Sequence, residues 1–166
     1  MKPDHLPEFF RGTHFRELDT RTEGKKRWKF VTTRGIRLSI PNLTSGILIF
    51  HDATGRIWGR MDKFGIYIES GYCWKGCSPK FWLWPFGLIG AFDFEETILA
   101  SLFHDFMYQF APTEHFPIHR SDCDRIFHNC IAMDGAPNVA STYYRLANRY
   151  GTWTGKAQTG VFSTAL

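Results

Sequence analysis

The chain has 166 residues, 43% of them hydrophobic and 22% charged, a balance that favours one folded domain and excludes an intrinsically disordered chain. Net charge is +4 at pH 7, but the excess is concentrated in Lys25, Lys26, Arg27 and Lys29. That is shorter than the basic stripe of a nucleic-acid reader and comes with no recognisable motif, so no nucleic-acid partner is expected. Aromatic residues make up 17% of the chain, with sixteen Phe and six Trp, and some rings are expected to lie in an interface with protein, lipid or ligand.

Residues 1–26 read as an irregular arm. Met1-Lys2-Pro3-Asp4-His5 lacks the apolar run of an export signal. No stretch reaches the roughly 18 uninterrupted apolar residues of a spanning helix; the most apolar one, Phe81 to Phe94, is cut by Pro85, Gly87 and Gly90. The expectation is a product without a transmembrane segment, made in the cytoplasm.

From Trp28 to Trp74 the pattern is β. Trp28 to Thr33 alternates, Gly46 to Phe50 is a short apolar run, and Ile66 to Glu69 reads as another strand. Asp52-Ala53-Thr54-Gly55 predicts a hairpin turn into Arg56-Ile57-Trp58. A small antiparallel meander over 27–74 is expected, with one face packed on the rest. Residues 75–92 read as a long loop rich in Gly, Pro and bulky aromatics. Phe81, Trp82, Trp84 and Phe86 are its candidate interface residues, forming a lipid-facing lip, a protein contact within an assembly, or a cover over the core.

Three helices follow over 93–151. The first runs from Phe94 to about Phe110, with Asp93 as N-cap and Pro112 beyond its end. The second runs from about Ser121 to Met133 and stops at Asp134-Gly135. The third spans about Ala136 to Tyr150. Residues 152–166 read as a tail without periodicity. The whole is an α+β fold: a single globular domain over 27–151, with an arm before it and a tail after it. The cysteines, Cys73, Cys77, Cys123 and Cys130, match no common zinc spacing and are read by default as free, mostly buried thiols, a disulfide or metal role being the alternative.

The first helix carries the chemistry. His104 and Tyr108 are four apart and share a face, and Asp105 is about 100° further round. On the second helix Asp124, Phe127 and Ile131 fall on one inward stripe, where a carboxylate needs a partner. A neighbouring histidine would serve, its tautomer fixed by the carboxylate. Equally, Ser121 could cap the second helix with Asp124 as a first-turn acid, His104 could be a core histidine and Asp105 a surface acid.

Gly76-Cys77-Ser78-Pro79, then Leu102-Phe103-His104-Asp105-Phe106-Met107-Tyr108, then Asp124-Arg125-Ile126-Phe127 resembles the prokaryotic phospholipase A2 pattern, over roughly residues 70–133. A longer stretch, roughly 45–151, resembles a bacteriophage and prophage family of unassigned function. That likeness rests on Gly71-Tyr72-Cys73-Trp74-Lys75-Gly76-Cys77-Ser78-Pro79 and on the late helix from Tyr143-Tyr144 to Gly151. The first resemblance implies a phospholipase A2-like helical core and a lipid ester hydrolase, with His104 as general base, Asp124 as its partner and Tyr108 in the same site. It also implies calcium held by Asp105 with the Gly76 backbone, the metal polarising the ester carbonyl. Lys75 stands where that pattern has a loop aspartate, which replaces a ligand by a repelling ammonium. A Lys75–Asp105 ion pair could take the metal's place, and weak or absent calcium binding is expected. Ser101 stands where the bacterial enzymes carry a disulfide cysteine. The alternative is a non-catalytic phage structural or accessory protein, a virion or tail component that keeps the fold. On that reading arm, tail and aromatic loop contact other phage proteins or a second copy, after synthesis in the cytoplasm of an infected bacterial host.

Overall fold

The computed structural model describes residues 15–18, 28–76, 80–83, 87–90, 95–110, 118–150 and 160–165. The chain is α+β: antiparallel strands first, then three helices, with one further strand after them.

A five-stranded sheet is built from β3 (Ile36–Ser39), β4 (Ile47–Asp52), β5 (Ile57–Asp62), β6 (Gly65–Ile68) and β10 (Gly160–Ala165), in the order β10-β4-β5-β6-β3. Its centre is the expected meander. The turn between β4 and β5 forms where the sequence places it. Gly55 adopts φ 82°, and Asp52 Oδ1 accepts hydrogen bonds from the Thr54 N–H, the Thr54 hydroxyl and the Arg56 N–H. Its other oxygen accepts from Trp58 Nε1 at 3.0 Å. These donors, the Thr54 hydroxyl first, hold the Asp52 carboxyl down at about 2, because each one favours the ionised form.

Alternation then decides which face is buried. Leu38, Leu48, Phe50, Met61, Ile66 and Ile68 point inward, while Arg37, Arg60 and Tyr67 share the opposite face in one cross-strand row. The inward face packs on α1 (Glu95–Phe110), where Phe50 meets Phe106 and Phe110 with ring centroids 5.2 and 5.1 Å apart. Gly59 makes this closeness possible: a Cβ there would lie 2.7 Å from Phe106 Cζ.

A second sheet joins β1 (Phe15–Glu17), β2 (Phe30–Thr32) and β7 (Cys73–Trp74). Trp74 is fully buried and donates its indole N–H to Ser101 Oγ at 3.1 Å, which ties this sheet to α1. Ser101 thus serves as an acceptor for a buried indole. β8 (Lys80–Leu83) and β9 (Gly87–Gly90) form a hairpin.

α2 (Arg120–Met133) and α3 (Pro137–Tyr150) complete the structure. α2 ends where expected: Gly135 has φ 93°, and the Ala136 and Gly135 N–H groups reach back to the Ile131 and Ala132 carbonyls. This paired arrangement satisfies carbonyls that a helix end leaves open.

Three features depart from the sequence reading. The arm contains a strand, β1; the segment read as an aromatic loop contains the β8–β9 hairpin; and the tail contains β10, which pairs along the whole of β4. Trp84 and Phe86 lie outside the described residues, as do the expected cap Asp93 and the loop cysteine Cys77, and for Phe81 and Trp82 only the backbone is described. Of the remaining cysteines, Cys123 and Cys130 are free and buried.

Candidate functional site

α1 and α2 pack side by side and bring His104, Tyr108 and Asp124 together. His104 Nε2 lies 2.9 Å from Asp124 Oδ1, and the Tyr108 hydroxyl donates to the same oxygen at 2.5 Å. A carboxylate only accepts, so the imidazole donates through Nε2–H and its tautomer is set. The Asp124 side chain has no exposure, whereas His104 retains 13% and Asp105 28%. The pair therefore has a dry end at Asp124 and a slightly exposed one at His104. Nδ1 is 3.9 Å from Asp105 Oδ1, too far for a direct hydrogen bond.

The ring is held on its faces as well. Tyr108 and Phe127 lie 4.1 and 4.7 Å from His104, centroid to centroid, with their planes inclined by 35° and 36°. Phe127 follows Asp124 by one helical turn, so one stripe of α2 supplies both the carboxylate and an aromatic wall. Burial alone would push the His104 imidazole down, but Asp105 and Asp124 flank the ring and together hold it above its ordinary 6.5. Burial and the bond to Asp124 keep the Tyr108 phenol protonated far into the alkaline range.

The alternative of Ser121 capping α2 with Asp124 as a first-turn acid is not what forms. The cap is His119, whose side chain makes no capping bond, and Asp124 faces the core rather than water. Lys75 is exposed, and no ion pair joins it to Asp105, although both are described residues.

Sequence reasoning missed Arg120. Its Nε donates to the Tyr108 hydroxyl at 3.2 Å and lies 3.8 Å from Asp124 Oδ2. A guanidinium nitrogen also donates to the Ala147 carbonyl at 2.8 Å. The signal was present as an i, i+4 spacing to Asp124, which puts both side chains on one helix face.

Calcium at Asp105 would need further oxygen donors around it. Calcium takes about six to eight oxygens. Among the described residues no cluster of three or more His, Cys, Asp or Glu side chains gathers to supply them. Gly76 is buried, with φ 79°, and the adjoining Lys75 brings positive charge. Among the described residues no helix is long and apolar enough to cross a membrane.

Comparison with protein families, with curated proteins and with solved structures finds no match to this chain.

Proposed function

We propose that the chain is a lipid ester hydrolase of the phospholipase A2 kind, with His104 as general base and Asp124 as the group that orients it. One observation carries the reading: Nε2 is fixed at 2.9 Å by a fully buried carboxylate, while Nδ1, 3.9 Å from Asp105 Oδ1, makes no direct hydrogen bond among the described residues. In the neutral ring Nδ1 bears the lone pair. A water at that nitrogen would transfer a proton to it as its oxygen attacks the ester carbonyl carbon. Asp124 would stabilise the imidazolium so formed. Collapse of the tetrahedral intermediate breaks the bond to the alcohol oxygen, which takes the proton back from Nδ1. Tyr108 is a positioning residue here, since its hydroxyl is spent on Asp124 and its ring lies against the imidazole. No step is routed through calcium.

The test is release of a fluorescent fatty acid from phospholipid vesicles, with and without calcium, by the wild-type chain and by His104→Ala. Release that requires His104 upholds the reading. Absence of His104-dependent release in both conditions removes it.

One observation favours a second reading. Two carboxylates hold the imidazole above its ordinary pKa, which favours the protonated ring, whereas a base must be neutral. On this reading the network clamps α1 to α2 in a phage structural or accessory protein, made in the infected host's cytoplasm and carried in the virion. Immunogold labelling of intact particles by electron microscopy would find the chain there, and unlabelled particles would count against it.

A further inference from the structure

Arg120 occupies a position where helix electrostatics argue against it. It is the first residue of α2, and the partial positive charge at a helix N-terminus favours acids over bases. Yet its side chain, with 34% exposure, is turned back onto the protein and engages three helices. On α1, Nε donates to the Tyr108 hydroxyl at 3.2 Å. On its own helix it is the nearby cation for Asp124 Oδ2, at 3.8 Å. On α3, the guanidinium donates to the carbonyls of Ala147 at 2.8 Å and Asn148 at 3.4 Å. Those carbonyls belong to the last turn of α3, where a helix leaves its C=O groups without intrahelical donors and a cation is favoured.

The two oxygens of Asp124 are unequally served. Oδ1 takes both the His104 and the Tyr108 donors, while Oδ2 is buried and accepts no hydrogen bond among the described residues. A half-satisfied buried carboxylate is costly unless a charge compensates it, and Arg120 stands on that side. A planar fork can serve the Tyr108 hydroxyl and the α3 carbonyls together in a way a lysine cannot.

We infer that Arg120 is a further positioning residue of the dyad: through Tyr108 and Asp124 it fixes the direction of the His104 ring, and it makes that alignment depend on the docked end of α3. The catalytic consequence rests on the hydrolase reading, but the alignment itself does not.

The test uses the full chain labelled with 15N and follows the His104 Nε2–H resonance, alongside hydrolysis kinetics. Arg125→Met is the control, because among the described residues Arg125 makes only an exposed pair with Asp122, one turn earlier on α2. In wild type and in Arg125→Met the Nε2–H proton is downfield and protected from solvent exchange. In Arg120→Met it shifts upfield or is lost to exchange. In Arg120→Lys, which keeps the charge but not the fork, it is displaced by an intermediate amount. If the chain hydrolyses ester, kcat in Arg120→Met falls by up to about 100-fold, as for a misaligned catalytic group, with KM little changed. An unchanged, protected Nε2–H in both Arg120 variants overturns the inference whatever the activity. A displaced Nε2–H in a chain whose wild type hydrolyses nothing upholds it while removing the hydrolase reading. Should Arg120→Met fail to fold, Arg120→Lys decides: displacement supports the inference, and a wild-type signal refutes it.

Discussion

Asp124→Asn removes a charge and almost no volume, so its cost reports on what the carboxylate contributes. Two donors converge on Oδ1, His104 Nε2 at 2.9 Å and the Tyr108 hydroxyl at 2.5 Å. A hydrogen bond to a charged group contributes about 1.5–3 kcal/mol, against roughly 0.5–1.5 kcal/mol for a neutral one. Two bonds so weakened lose about 2 kcal/mol. The amide NH2 would also take the place of Oδ2, 3.8 Å from the Arg120 Nε, where it offers a donor to a donor. Relief from burying a charge acts the other way, so about 2 kcal/mol is the expected net destabilisation. Asp124→Ala should be worse, about 3–5 kcal/mol, because it strands a buried imidazole N–H and a hydroxyl. Urea unfolding followed by circular dichroism at neutral pH measures both. Should Asp124→Asn lie within about 0.5 kcal/mol of wild type, or Asp124→Ala be no worse than Asp124→Asn, the carboxylate is not holding the dyad and the argument fails.

The pH dependence of stability should bear the mark of His104. Its folded pKa is raised, so its contribution is fully present below the unfolded value of about 6.5 and is lost as pH rises through the folded pKa. Urea midpoints taken from about pH 6 to about pH 9 should fall in wild type and flatten in His104→Gln. Hydrolysis should run the opposite way, with kcat/KM climbing through the same pKa as the base loses its proton; a limb below the ordinary histidine value would contradict this. Gly59→Ala would set a Cβ 2.7 Å from Phe106 Cζ and 2.4 Å from the Tyr67 carbonyl oxygen, an overpacking expected to cost about 1–3 kcal/mol and to lower the thermal midpoint. Calorimetric titration with calcium should show no tight binding; tight binding abolished by Asp105→Asn would reverse that expectation.

The helices were legible to within a residue at their ends because each carries its own punctuation, such as the Asp134-Gly135 stop of α2. The meeting of His104 and Asp124 was legible for a similar reason, since a carboxylate on an inward stripe must find a donor. For Arg120 only the spacing to Asp124 was legible, because the rest of its role depends on the carbonyls of Ala147 and Asn148, which approach it only when α3 folds back. β1, β10 and the β8–β9 hairpin were not legible. The strand over 160–165 has no periodic signal of its own and exists by virtue of a partner far away in the chain, which is how tertiary context overrides local propensity.

That distant partnership bears on how the molecule is made. β10 follows every helix in chain order, yet its register covers β4 from Ile47 to Asp52. During vectorial synthesis β4 therefore emerges long before the strand that closes its edge, and it spends that interval with unpaired backbone groups beside an apolar face. Closing so large a loop is slow. The interval is one in which β4 can recruit another chain's strand instead, so yield and solubility should depend on the rate of synthesis and on chaperones that cover that edge.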